Sequence, residues 1–311
     1  MAIYRKSGTR SGHQSKRLKS RLVFDQLNPV VCFTYYVITI AMSMVFIHPI
    51  FLMGEFIIIM LVNILAQNYK QTLGMLQGSL FMMVFILIMN PLINNRGAHV
   101  IAVFGGITIT AESIVYGFLM ALSLSILMLV FVSYNKTITS HKFLYLFSKV
   151  SPQLALLTMI TMRFVPLFIK RFANIRDVQR TRGIQMETGS LKRRSDSGMR
   201  LMEVLLVSSF EDALQTADSM NARGYGVHKR SNYEQYRFTK RDGLALVALV
   251  VPSIVCFVAA SNGVGRLVIY PVLGSFMLNS ISWMVFLLVI LVFSFPLILE
   301  GWEYIWWSFL K

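Results

Sequence analysis

Apolar positions in this chain run together in long blocks instead of alternating with polar ones. Six blocks approach the roughly 20 residues that a helix needs to cross the hydrocarbon of a bilayer. They are 30–47, 50–66, 73–90, 107–132, 244–260 and 281–299. Four hold no charge; Glu55 interrupts the second, and Glu112 stands near the start of the fourth. Only His48-Pro49 separates the first two, which predicts a tight helical hairpin with Pro49 in the first turn of its second helix. Asn90-Pro91 and Gly105-Gly106 bracket the next outer connection. The stretch 267–278 is apolar but short, and Pro271 and Gly274 break it, so it reads as a re-entrant or surface piece and not a seventh span. The fold class is therefore all-α: a polytopic integral membrane protein of about six transmembrane helices.

Between the fourth and fifth blocks the pattern changes to helical amphipathicity. Ser140 opens a short helix carrying Phe143, Leu146 and Phe147. Ser151-Pro152 supplies an N-cap followed by a first-turn proline. The helix that follows should run to Arg182, stop at Gly183 and kink at Pro166. Its first half is apolar but too short to span, which places it at the interface or under other helices. In its second half Phe168, Phe172, Ile175 and Val178 form a stripe, with Lys170, Arg171, Asn174 and Arg180 on other faces. A basic break follows from Gly189 to Gly198, with Lys192-Arg193-Arg194 inside it. A second long helix runs from about Met199 to Arg223. It is apolar first (Leu201, Val204, Leu205, Val207, Phe210), then acidic (Glu211, Asp212, Asp218).

Composition explains where the charge must go. The 311 residues are 55% hydrophobic and only 14% charged, yet the net charge is +16. A soluble domain has about 25% charged residues, so the apolar excess faces lipid. Seven Lys/Arg fall in 1–29 and nineteen in 134–242, with Lys70 in the turn after the second block and Lys311 at the end. Only Arg96 and Arg266 fall in the other two loops. Six spans with an inner N-terminus put every basic cluster on the cytoplasmic side, as the positive-inside rule requires. The organisation is then 1–29, a basic cytoplasmic tail; 30–133, about four spans; 134–242, a cytoplasmic helical domain with two long amphipathic helices; and 243–311, about two spans. The tail has no apolar segment before Val30, so it reads as a topology-setting tail and not a cleaved signal. Binding to nucleic acid or anionic lipid is its alternative role.

Catalytic chemistry is hard to find. No Gly-Lys dipeptide occurs, which excludes a P-loop. His13, His48, His99, His141 and His228 are scattered, and Cys32 and Cys256 lie alone inside apolar runs, so no metal site is expected. Met42, Met44, Met82 and Met83 suit packing gaps between helices. Glu55 and Glu112 read as interfacial carboxylates near outer span ends. A lipid or prenyl transferase would need paired carboxylates or a His cluster at the membrane surface. The inner-side candidates, Asp177, Glu211, Asp212 and Asp218, mostly have helix-surface spacing. A lipid-binding membrane scaffold is a third reading. No catalytic, cofactor or metal residue is assigned.

Both long inner helices end in Arg-Gly: Arg182-Gly183 and Arg223-Gly224. Glycine is favoured just past a helix end, and a cation suits the C-terminal dipole. Two such ends in one segment also offer two planar guanidinium forks for carboxylates in a partner's groove.

The ordered set of segments resembles the transmembrane (T) component of energy-coupling factor transporters, a family also called cobalt transport proteins. Five segments carry the resemblance: 106–112 (Gly-Ile-Thr-Ile-Thr-Ala-Glu), 137–140 (Thr-Ile-Thr-Ser), Arg163-Phe164-Val165-Pro166, 179–183 (Gln-Arg-Thr-Arg-Gly) and 220–225 (Met-Asn-Ala-Arg-Gly-Tyr). Asp242 then opens the next span. The resemblance covers roughly residues 20–260. Thr181 stands where the first Ala-Arg-Gly motif has Ala, and the basic tail and a C-terminal span with Trp283, Trp302, Trp306 and Trp307 are additions. The last three tryptophans suit an interfacial aromatic belt. The resemblance implies a non-catalytic importer subunit in a bacterial or archaeal cell membrane, without cofactor. It implies docking of two ABC-type ATPases through Arg182, Gly183, Ala222, Arg223 and Gly224, with Arg163 and Pro166 as a structural hinge. A separate small substrate-binding membrane protein (S component) would capture a vitamin or transition-metal ion. Membrane lipids are the remaining partners, and nucleic acid is not one.

Overall fold

A computed structural model describes residues 23–66, 69–94, 97–104, 107–148, 151–181, 191–227, 236, 238–270 and 274–309. They fall into two compact units, residues 1–142 with 236–311, and residues 143–235.

The first unit opens with a 3₁₀ turn, Val23–Gln26, followed by α1, Pro29–Val45, and α2, Pro49–Leu65. Both helices start as their sequences predict. Proline occupies the first turn of each, and a preceding side chain caps it: Asn28 accepts from the Val30 amide, and His48 from that of Ile50. Each helix has 17 residues, or about 25 Å of rise, less than the roughly 30 Å of hydrocarbon. The break at residues 46–48 keeps both short, as the blocks 30–47 and 50–66 led one to expect. α3, Tyr69–Ile93, leads to a small antiparallel hairpin, β1 Val100–Phe104 and β2 Ile107–Thr110. The hairpin departs from an all-helical chain. It takes the first four residues of the expected fourth span, because Thr110 caps α4, Ala111–Thr137, by accepting from the Ser113 amide.

α4 is the axis of this unit and packs along α1, α2 and α3. Polar side chains fix it at several depths. Ser123 donates to the Ser43 carbonyl at 3.0 Å, and Asn63 to the Leu129 carbonyl at 3.1 Å. The Tyr36 hydroxyl sits 2.8 Å from Ser133 Oγ and 3.0 Å from Thr137 Oγ1, and Lys136 reaches the Ala66 carbonyl at the end of α2. Buried groups in a lipid-surrounded core must find such partners, since no water competes for them. Glu55 is the main exception, beside one oxygen each of Asp25 and Asn63 among the described residues. It was expected at the interface; instead it is fully buried, and neither carboxyl oxygen has a partner among the described residues. The outer face of α3 (Leu80, Phe81, Val84, Phe85, Ile88) is exposed and apolar, as a lipid-facing surface must be.

The remaining helices of this unit are α8, Lys240–Ser261, α9, Ser280–Phe293, and α10, Phe295–Phe309, numbered after three inserted helices. Asp242 and Thr239 cap α8 reciprocally, and Asp242 Oδ1 also accepts from the Asn28 amide at 3.0 Å. That contact ties the start of α8 to the start of α1. Residues 266–279, where described, are not helical, and the Leu267 amide donates to the Ile47 carbonyl at the α1–α2 corner. The stretch is therefore not a seventh helix, and Leu267 and Ile269 are buried in the core of the unit. The last expected span is not straight: α9 and α10 are bent by 60° at Ser294. Pro296, in the first turn of α10, lacks the N–H that would continue the helix. The Tyr35 hydroxyl donates to the Phe293 carbonyl at the break, at 2.9 Å.

The inserted helices are α5, Ser140–Ser148, α6, Pro152–Thr181, and α7, Leu191–Ala222. α6 is one continuous 30-residue helix with Pro166 inside it. By length and composition it qualifies as a span, beside α3 from Lys70, α4 and α8, with the bent α9–α10 pair as a fifth. The whole helix meets that measure because it runs on through Pro166 to Thr181. α7 also begins two turns earlier than expected. Leu191–Gly198 is helical and not a break, because its Lys and Arg are good helix formers.

Tyr35→Phe should leave the Phe293 carbonyl without its hydroxyl donor, at a cost of about 1–3 kcal/mol. A lowered thermal midpoint of the detergent-solubilised protein, with unchanged membrane insertion, is the expected result.

Candidate docking site on the inserted helices

α7 terminates through its own backbone. The Tyr225 amide donates to the Met220 carbonyl at 3.0 Å, and the Gly224 amide to that of Asn221 at 2.9 Å. This pair of bonds is a Schellman end, with Arg223 as the C-cap and Gly224 just beyond it. The motif needs a left-handed residue there, and Gly224 has φ +76°. Gly226, two residues on, has φ +90°, so the chain turns sharply after the helix. Arg223 is exposed, and its side chain makes no ion pair or hydrogen bond with a described residue. Ala222 is exposed on the last turn.

α6 ends at Thr181, whose hydroxyl is turned back onto the Val178 carbonyl at 2.7 Å. Arg182 and Gly183 lie outside the described residues, so only the Arg223 end can be described. Arg163 and Pro166 are both exposed on α6, three residues apart.

A contact that the sequence did not announce joins the two long helices. Arg171 of α6 donates to Ser208 Oγ at 2.9 Å and pairs with Asp212, both on α7. Arg171 and Asp212 are each just under one-third exposed. The opposite charges were visible in the sequence, but spacing along one chain cannot say which Arg meets which Asp. This pairing takes Asp212 out of the candidate carboxylates for chemistry. Among the described residues no group of three His, Cys, Asp or Glu could hold a metal ion.

The clasp has a second effect. At 100° per residue, Ser208 and Asp212 lie on the face of α7 opposite Met199, Met202, Leu206, Val207, Phe210 and Leu214. These six side chains are exposed, Phe210 to 70%. The Arg171–Asp212 clasp is satisfied within the unit, while an apolar face interrupted by the exposed Glu203 stays open, as does the Arg223 tip on another face. Exposed apolar side chains and an exposed guanidinium are each features that a protein surface can engage.

A family model described as cobalt transport protein, CbiQ, matches residues 16–233. That range takes in the inserted helices completely and ends before α8. The chain is similar to proteins named energy-coupling factor transporter transmembrane protein EcfT. The one from Staphylococcus aureus is 27% identical over 197 residues, covering 59% of this chain and 72% of that protein. The one from Macrococcus caseolyticus is 28% identical over 188 residues, covering 56% and 70%. The one from Brevibacillus brevis reaches 36% identity over 103 residues, 33% of this chain and 39% of that protein.

Gly224→Val should strain the helix end by about 1–2 kcal/mol, because a β-branched residue does not tolerate the left-handed conformation. Amide hydrogen exchange in the last turn, residues 219–223, should speed up roughly 5–30-fold.

Proposed function

The chain belongs to the CbiQ family of cobalt transport proteins, as a multi-pass membrane subunit of an energy-coupling factor transporter, and on that premise we propose that it transmits ATP-driven movement across the complex. In this reading two ABC-type ATPases hydrolyse ATP on the cytoplasmic side. A separate S component captures the substrate, a vitamin or a transition-metal ion. Residues 134–242 are the cytoplasmic coupling domain between them, and residues 1–29 are a cytoplasmic tail.

The observation that carries the reading is the Arg223 end of α7. The Schellman bonds satisfy the last carbonyls, so the guanidinium is not needed by its own helix. It is exposed and free to fork onto a carboxylate of an ATPase groove. The exposed apolar side chains of α7 supply further contact area along the same helix. Arg182-Gly183 repeats the dipeptide and is proposed to dock the second ATPase. The Arg163–Pro166 stretch of α6 is proposed as the place where the helix can flex, since Pro166 removes one ladder bond.

Charge placement supports the orientation. At one end of the first unit stand the root of the basic tail, Lys70, Lys136, Lys142, Lys240 and Arg241. The opposite end holds Arg266, His99 and the buried Glu112, whose Oε1 is 2.8 Å from His99 Nδ1. The chain leaves this unit at 142 and re-enters it at 236, both at the basic end.

Arg223→Glu should weaken docking by about 2–5 kcal/mol, the usual cost of disrupting a buried charge pair. The ATPases should no longer co-purify in mild detergent, and uptake should be lost while the variant still inserts into the membrane. Arg182→Glu should behave similarly. Wild-type uptake by Arg223→Glu would overturn the proposal.

A further inference from the structure

Residues 25–28 stand just before α1 and make two bonds to distant parts of the chain. Lys142 Nζ donates to the Asp25 carbonyl at 2.7 Å, and Asp242 Oδ1 accepts from the Asn28 amide at 3.0 Å. Both partners belong to the first unit, and both stand at its borders. Lys142 is the last residue before the chain passes into the second unit, and the chain returns at residue 236, shortly before Asp242. The short segment before α1 therefore holds the outgoing and the returning chain together.

α4 and α8 are joined to the inserted helices by the chain itself. α1 is not, and these two bonds tie it to the same two passages. They are suited to bearing load. Asp242 is buried, and its bond to Asn28 is charge-assisted and shielded from water. Lys142 is half-buried. The segment is also stiff on its inner side. Phe24 is buried edge-on against Phe295, Tyr35 and Tyr36, with ring centroids 6.3, 5.2 and 6.1 Å away. One turn and a half into α1, the Tyr35 hydroxyl holds the Phe293 carbonyl where α9 gives way to α10. A displacement of residues 25–28 thus reaches α1 and the α9–α10 break as one body, because close-packed side chains shift together and do not deform singly.

We propose that residues 25–28 are the latch through which movement of the inserted helices is passed to α1 and to the α9–α10 break, with Lys142 and Asp242 as its positioning residues. The proposal rests on the coupling role given above and adds the place where movement enters the membrane-spanning unit. Lys142 is the residue to test, because Asp242 also caps α8 and its loss would unsettle a helix start.

The test uses the full chain, purified in mild detergent with the ATPases that accompany it. Spin labels are placed at Val37→Cys on α1 and Phe81→Cys on α3, both exposed positions. The native Cys32 and Cys256 are free but buried. ATP with vanadate should trap nucleotide and shift the distance between the labels by about 2 Å. Lys142→Met should trap nucleotide as before but lose the shift, and Lys142→Arg should restore it. Trapping without a shift in the otherwise native chain would overturn the latch alone, as would a shift that persists in Lys142→Met. Loss of trapping together with the shift in Lys142→Met would also overturn it, by making Lys142 a merely structural residue. Failure of the otherwise native chain to trap nucleotide at all would instead remove the coupling role, and the latch with it.

Discussion

The carboxylate of Asp242 joins parts of the chain that are 214 residues apart. One oxygen accepts from the Asn28 amide, and the other from the amide and hydroxyl of Thr239. Two helix starts, those of α1 and α8, are thereby fixed to one group. Each would otherwise leave orphan amides at the membrane boundary. This pins the two ends of the first unit together around an insertion that folds as a separate body. The aromatic cluster of Phe24, Tyr35, Tyr36 and Phe295 then fills the space beneath. Tyr35 and Tyr36 also spend their hydroxyls on α9 and α4, so the same rings that pack the core hold its helices in register.

Much of this was legible in the sequence because it is written in local chemistry. Pro49 after His48 marked the start of α2, and Asp242 marked that of α8. Gly224 marked the end of α7. Most of the failures come from long-range packing, and one from local helix propensity. Nothing local distinguishes Glu55, fully buried and without a partner, from an interfacial glutamate. The β hairpin forms where four residues, 107–110, are as apolar as the helix after them. Helix propensity outweighed charge at Leu191–Gly198. Arg171 and Asp212 met because two helices cross, which spacing along one chain does not encode.

The inserted unit has an inside and an outside despite holding few buried side chains. The Arg171 clasp draws polar groups of α7 toward α6, while Met199, Leu206, Phe210 and Leu214 remain uncovered. Hydrophobic area exposed this way is costly in water unless something covers it. The family to which the chain belongs is one of subunits, and a subunit's stability is shared with its neighbours.

The Schellman end of α7 separates two duties that often fall on one residue. Gly224 holds the backbone, and Arg223 adds only its charge at the helix end. The two positions can therefore vary independently: a change at 223 would leave the turn intact, whereas a change at 224 would disturb the fold first. Such an end is portable. The six residues 220–225 carry their own termination, so a helix of another protein closed by them should present its C-cap arginine in the same posture.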